Sequence, residues 1–196
     1  TAIGSVVLLP IMGAVVLSKS EIHSGTSITG TIQLNCPAPA SGFTVDLSCD
    51  NPLVSFPKTV FIPAGADSVT FPLTCGCTAI RVTGTFSAMN GKSVVTTQIS
   101  VCPPQASQII IATKSVQGGN CTMGTIVLDG VAPAGGFTIS LKSVSPDVIT
   151  VPDSVCIPQG ESQINFAINT TVVTKIRTGA IVIPGTTVKQ NLRVNP

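Results

Sequence analysis

The chain has 196 residues, of which ten are Lys or Arg and eight are Asp or Glu, so its formal net charge is +2. Charged residues make up 9% of the sequence, against about a quarter in typical soluble domains. The basic residues are scattered singly, which excludes the basic patch of a nucleic-acid-binding protein. Trp and Tyr are absent, whereas Val, Ile and Thr, which favour β-strands, are abundant.

Residues 1–18 are uncharged and mostly apolar, and three interpretations compete for them. A membrane-spanning helix needs about 20 apolar residues, and here Gly4, Pro10 and Gly13 interrupt a marginal span. A signal peptide would begin with Met and basic residues, which this segment lacks. The third interpretation, which the repeat described next favours, is an additional β-strand before Pro10. The apolar residues of this assembly strand are Ile3, Val6, Val7, Leu8 and Leu9.

A motif of the form apolar-x-apolar-x-Pro occurs three times, ending at Pro10, Pro103 and Pro196. Both intervals are 93 residues (103 − 10 and 196 − 103), and a fixed long period is typical of a tandem array. The spacing predicts a separate terminal strand at 1–10, a first domain at 11–103 and a second domain at 104–196. The terminal strand is then either the last strand of a preceding repeat or a donor strand to a neighbouring subunit.

Within each unit, apolar and polar residues alternate, as around Val69, Phe71 and Leu73, which indicates half-buried antiparallel strands. Each unit has about seven such runs, with Asn90-Gly91 and Pro184-Gly185 placed to turn the last hairpin. No segment has helical periodicity. Seven short strands in about 93 residues predict an all-β fold with two tandem immunoglobulin-like β-sandwich domains.

Several segments recur in both units at a nearly constant offset of about 94 residues. In the first unit they are Gly30-Thr31-Ile32-x-Leu34, Ala38-Pro39-Ala40-x-Gly42-x-Thr44-Val45-x-Leu47-Ser48 and Val60-x-Ile62-Pro63-x-Gly65. This series resembles the bacterial Ig-like repeat domains of secreted and surface proteins. The resemblance implies modules that act as spacers, stalks, adhesive repeats or fibre building blocks, and it implies no catalytic residue. The cysteines depart from the common pattern of that family.

Seven cysteines are present, and none lies at an equivalent position in the two units. Four of them, Cys49, Cys75, Cys77 and Cys102, flank predicted strands whose ends converge at one end of the first domain. We expect two disulfide bonds there. One joins Cys49 to either Cys75 or Cys77, and the other joins Cys102 to whichever of these two remains; the sequence does not decide between the two pairings. Free thiols and a zinc site are the alternatives, and the Cys-x-Cys spacing does not favour zinc.

The other three cysteines allow two arrangements. Cys36 and Cys121 are expected at opposite ends of the chain, so an intermolecular Cys36–Cys121 bond would form in a head-to-tail stack. The alternative is a Cys121–Cys156 bond inside the second domain, with Cys36 unpaired or buried. Asn120 and Asn169 begin triplets of the glycan-acceptor type, which makes them candidate glycosylation sites.

No pattern of catalytic or metal-binding residues is found, and no cofactor is predicted. The single histidine, His23, has no nucleophile motif beside it, and the acidic residues are isolated. Most of the phenylalanines occupy inward positions of the predicted strands, whereas a sugar-binding platform would need exposed aromatic side chains. We therefore expect a non-enzymatic extracellular or cell-surface structural protein, assembled head to tail from copies of itself into a filament, sheath or surface layer. The alternative is an adhesin or stalk module of a larger secreted protein that presents a binding or catalytic domain, with a cell-surface or glycan contact left open.

Overall fold

A computed structural model describes residues 10–91 and 93–196, and it divides the chain into two compact units. Unit 1 ends at Cys102 and unit 2 runs from Pro103 to Pro196. The predicted strand at residues 3–9 lies outside the described residues. Within the described ranges every regular element is a β-strand, and no helix there is long and apolar enough to cross a membrane.

Unit 1 is a sandwich of two antiparallel sheets with one parallel edge pair. Its strands are β1 (Met12–Leu17), β2 (Glu21–His23), β3 (Ser27–Leu34), β4 (Phe43–Cys49), β5 (Val54–Ser55), β6 (Thr59–Ile62), β7 (Ser68–Cys75), β8 (Val82–Asn90) and β9 (Ser93–Cys102). One sheet has the order β1-β3-β7-β5 and the other β2-β9-β8-β4-β6. β1 and β2 are consecutive in sequence yet join different sheets, and β2 runs parallel to β9.

Unit 2 repeats this arrangement with a broken third long strand. Its strands are β10 (Ala106–Ile111), β11 (Ser115–Gln117), β12 (Cys121–Leu128), β13 (Phe137–Ser140), β14 (Lys142–Ser143), β15 (Ile149–Thr150), β16 (Ser154–Ile157), β17 (Gln163–Thr170), β18 (Arg177–Val182) and β19 (Lys189–Asn195). The sheets have the orders β10-β12-β17-β15, β11-β19-β18-β14 and β13-β16. β13 and β14 together correspond to β4, with Leu141 between them.

The strand orders confirm the predicted all-β fold of tandem immunoglobulin-like sandwiches. The described residues form more strands than the seven runs expected in each unit, because the first strand is divided between two sheets and short strands precede β6 and β16. In unit 2 the break between β13 and β14 adds one more. The last hairpins turn where expected, and Gly91 and Gly185 have φ angles of 57° and 80° there. Such left-handed conformations are readily adopted by glycine.

Each unit has its own hydrophobic core between its sheets. In unit 1, Phe86 is fully buried, with its ring centroid 5.0 Å from that of Phe56 and 5.7 Å from that of Phe71. The core of unit 2 is largely aliphatic. Its fully buried side chains include Ile126, Ile149, Ile157, Ile168, Ile181 and Leu192. Inward positions of the strands supply both cores, as alternation requires.

Candidate functional site

Four of the cysteines of unit 1 lie at or just after the ends of strands. Cys49, Cys75 and Cys102 end β4, β7 and β9, and Cys77 follows β7 in a loop. The Cys75 thiol donates to the His23 carbonyl oxygen at 3.1 Å, and the Ser24 amide donates to the Cys102 carbonyl oxygen at 3.0 Å. The structure therefore brings Cys75 and Cys102 to the same short segment.

All seven cysteines are free thiols in the structure, and they all lie within the described residues. Cys75 and Cys102 are buried, Cys36 and Cys49 are half-buried, and the other three are exposed. The two disulfide bonds expected in unit 1 stay a prediction.

The repeat gives Cys75 a different explanation. Cys75 ends β7 as Thr170 ends β17, and its thiol approaches the carbonyl oxygens of His23 and Thr26 at 3.1 and 3.3 Å. The Thr170 hydroxyl approaches the equivalent carbonyl oxygens, those of Gln117 and Asn120, at 3.4 and 2.7 Å. The thiol thus occupies the position of a hydrogen-bonding hydroxyl.

Cys49 likewise stands where unit 2 has a hydroxyl group that takes part in a hydrogen bond. The backbone amide of Asn51 donates to the Cys49 sulfur at 3.4 Å, and in unit 2 the amide of Ser145 donates to the Ser143 hydroxyl oxygen at 3.2 Å. Burial raises the pKa of the Cys49 thiol above its ordinary value of 9.0; the Asn51 amide opposes this shift and the Asp50 carboxylate adds to it. Burial disfavours the thiolate because that form is charged.

We expect Cys75→Thr to preserve the stability of unit 1, whereas Cys75→Val should lower its free energy of unfolding by about 1–2 kcal/mol. Threonine restores the donor that unit 2 uses at this position, and valine leaves the two carbonyl oxygens without it. Urea unfolding followed by circular dichroism measures both changes. A large loss with threonine would show instead that Cys75 is needed for a covalent bond.

The raised pKa of the Cys49 thiol predicts a loss of stability in alkali. The folded state holds the thiol proton more tightly than the unfolded chain, so the unfolded chain releases it first as pH rises. The contribution is fully present below about pH 9 and is lost as pH rises through the higher pKa of the folded state. Urea midpoints between pH 7.5 and 10.5 should therefore fall more steeply for the parent chain than for Cys49→Ser. Parallel slopes would contradict this assignment.

The two cysteines of unit 2 are well separated. Exposed Cys121 begins β12 and faces Asn169 on β17, while exposed Cys156 lies in β16 beside Thr138. These positions are at opposite ends of the long strands, and a disulfide bond requires Cα atoms within about 7 Å. The structure does not bring the Cys121–Cys156 pair together. The intermolecular Cys36–Cys121 bond stays a prediction.

The candidate glycan acceptors Asn120 and Asn169 are both exposed. Within the second triplet the Thr171 hydroxyl donates to the Asp147 carbonyl oxygen at 2.7 Å. The backbone carbonyl of Asn120 accepts from Thr170 at 2.7 Å. Modification of either asparagine stays a prediction.

Several charged side chains of the described residues make contacts within their own unit. The Asp50 carboxylate accepts a hydrogen bond from the Thr85 backbone amide at 2.6 Å, and Asp147 forms an ion pair with Arg177 at 2.9 Å. Glu21 pairs with Arg81. Among the described residues no group of three or more His, Cys, Asp or Glu side chains could hold a metal ion.

One sheet in each unit has no charged residue. None of the eight strands in the sheets β1-β3-β7-β5 and β10-β12-β17-β15 contains Asp, Glu, Lys, Arg or His. The outward positions are mainly Ser, Thr, Asn and Gln. Val16 on edge strand β1 is 48% exposed, and Ile110, at the same place on β10, is 47% exposed. Each uncharged sheet therefore presents an exposed aliphatic side chain at its edge.

Unit 2 also contains a groove that the sequence pattern does not predict. It has a volume of about 400 Å³ and lies between β13, the turn after β18 and the residues that lead into β10. Its lining includes Ala106, Phe137, Ile139, Ile183 and Pro184, and none of its lining residues is charged. The sequence does contain a sign of it. The offset between equivalent residues of the two units falls from 95 at Thr83 and Thr178 to 93 at Pro103 and Pro196. The last hairpin of unit 2 is therefore two residues shorter.

No protein-family model and no curated protein matches the chain. Among solved structures, it is similar to adhesin InvE of Yersinia pseudotuberculosis, with 16% identity and a TM-score of 0.36 over 92% of this chain and 58% of that chain. The Escherichia coli adhesin FdeC gives 13% identity and a TM-score of 0.41, over 92% of this chain and 62% of that chain. Domains 4 and 5 of the S-layer protein SbsC give 14% identity and a TM-score of 0.34, over 94% and 98%.

The chain thus spans less than two thirds of the InvE and FdeC structures. The solved structures that it is similar to include bacterial adhesins, a surface-layer protein and domains of titin. At these identities the likeness concerns the fold alone.

Proposed function

We propose that the chain is a non-enzymatic module of the extracellular space or cell surface, whose copies pack together into a filament, sheath or surface layer. The observation that carries this proposal is the pair of uncharged sheets, one in each unit. The feature is duplicated with the fold, and so is the exposed aliphatic residue at its edge, Val16 in unit 1 and Ile110 in unit 2.

Uncharged, hydroxyl-rich sheets suit contact with another protein surface. Soluble monomers normally keep their sheets apart with charged residues, lysine above all, on faces and edges. Charged groups resist burial because their hydration is lost, whereas Ser, Thr, Asn and Gln side chains can exchange water for partners across an interface. The edge strands β1 and β10 also leave one side of their backbone unpaired within the described residues.

The test places one lysine on each uncharged sheet. Val16→Lys and Ile110→Lys should each weaken self-association in sedimentation velocity by about tenfold or more, because an ammonium group would have to be buried. Both side chains are half-exposed, so the melting temperature should not change. Val144→Lys is the matched control: this valine is 56% exposed and lies outside the uncharged sheets.

The competing function is an adhesin or stalk module of a larger secreted protein. It predicts that the chain stays monomeric at high concentration and that all three lysine variants behave alike. That result would overturn the assembly proposal. Labelling of intact source cells with an antibody to the chain tests the location separately, and a signal only after the cells are opened would overturn a surface role.

A further inference from the structure

The groove of unit 2 exposes backbone groups that unit 1 keeps covered. In β13 the amides of alternate residues point to opposite sides, as in any strand. The Leu141 amide donates to the Asp153 carbonyl oxygen at 2.8 Å, which continues the pairing of β13 with β16. The backbone N–H and C=O groups of Ile139 and Phe137, two and four residues earlier, therefore also point toward β16. The N–H and C=O groups of Thr138 and Ser140 therefore point away from β16, into the groove.

In unit 1 the backbone of Asp46 and the carbonyl oxygen of Thr44, at the equivalent positions, have partners. Asp46, the counterpart of Ser140, pairs with Met89 on β8. The carbonyl oxygen of Thr44, the counterpart of Thr138, accepts the Asn90 side-chain amide at 2.6 Å. Strand β8 thus pairs with β4 as far as Asp46, and the Asn90 side chain covers the next carbonyl oxygen that faces this side.

Strand β18 stops short for a chemical reason. Its last pair is Val182 with Lys142, and the position that would face Ser140 is Pro184. Proline has no N–H to donate to a neighbouring strand. The chain turns instead, with the Thr186 amide donating to the Ile183 carbonyl oxygen at 3.2 Å. The result is a short open sheet edge above an apolar floor.

We propose that this groove binds residues 3–9 of a second copy of the chain, added as a strand beside β13. An extended peptide that completes an exposed sheet edge is a common mode of recognition. Seven residues span about 23 Å at roughly 3.3 Å each, and the four residues of β13 span about 13 Å, so the segment is long enough. This inference rests on the proposed self-assembly and names the contact that would make it directional.

Composition favours this occupant over an arbitrary peptide. Residues 1–18 carry no charge, and neither does the groove lining. Burying a charged residue in such a site would cost its hydration. Val6, Val7, Leu8 and Leu9 are consecutive apolar residues, so an added strand of this sequence would be apolar on both faces. Its sequence also repeats the apolar-x-apolar-x-Pro ends of β9 and β19, which are strands in the structure.

The test uses full-length variants that damage one half of the contact each. Thr138→Pro removes the groove-side N–H, and it leaves the pairing of β13 with β16 intact because that N–H does not take part. Val7→Asp puts a carboxylate on the incoming strand. Each variant should weaken self-association by at least tenfold in sedimentation velocity. Thr44→Pro, the same change at the covered site of unit 1, is the control and should associate like the parent chain.

Mixing the two variants gives the decisive reading. Val7→Asp retains an intact groove and Thr138→Pro retains an intact strand, so an equimolar mixture should form dimers that cannot grow further. Circular dichroism and melting temperatures establish that each variant is folded. Association that survives both substitutions but is lost in Val16→Lys would overturn this inference and leave the proposed assembly standing. A parent chain that is monomeric throughout would overturn both.

Discussion

Replacing Phe86 by alanine is expected to lower the free energy of unfolding of unit 1 by about 3–5 kcal/mol. The ring is fully buried between those of Phe56 and Phe71, so its removal leaves a cavity that its neighbours fill only in part. The core of unit 2 is formed by other residues, and the unfolding of that unit should not change.

Differential scanning calorimetry measures this result, with two transitions expected in the variant. Phe61→Ala is the control, because this ring is 54% exposed at the edge of the sheet, and its loss should shift neither transition by more than a few degrees. A single transition that moves as a whole would contradict the separate cores of the two units.

Replacing Gly30 by valine is expected to cost unit 1 about 2–3 kcal/mol by overpacking. A Cβ atom at Gly30 would lie 2.4 Å from Cζ of Phe71, whose ring is buried. In unit 2 a Cβ at Gly124 would lie 2.4 Å from Cζ of Phe166, so the same substitution there should be equally costly for unit 2. The two glycines allow the rings to pack directly on the backbone of the neighbouring strand.

Urea unfolding of Gly30→Val and Thr29→Val separates this effect from β-propensity. Thr29 is the adjacent exposed residue on β3, and valine there keeps the side-chain shape and should be nearly neutral. Equal stability of both variants would show that Phe71 can move aside, which would contradict the close packing at Gly30.

The sequence predicts the fold well because its signals are local and duplicated. Alternation places Phe71, Leu73 and Phe166 inside, and the Asn-Gly and Pro-Gly turns lie where the last hairpins close. The division of the first strand between two sheets was missed. That division depends on tertiary pairing, in which β2 runs parallel to β9, and periodicity does not report it.

The roles of the site residues were harder to predict, because each role becomes clear only when the contacts of equivalent residues in the two units are compared. The sequence identified the cysteines but could not show that Cys49 and Cys75 take the places of Ser143 and Thr170 as hydrogen-bonding groups. The groove arises from Pro184 and a shortened hairpin, and its open edge appears only when the register of β13 is known. Side-chain patterns carry little information about which backbone groups are left uncovered.

Negative-stain electron microscopy of the full chain, concentrated at neutral pH, tests the assembly of this module most directly. We expect linear polymers with a regular axial repeat, which shorten to dimers in the mixture of Val7→Asp and Thr138→Pro. Separate, unassembled particles at every concentration would contradict the proposal that copies of this chain build a surface structure.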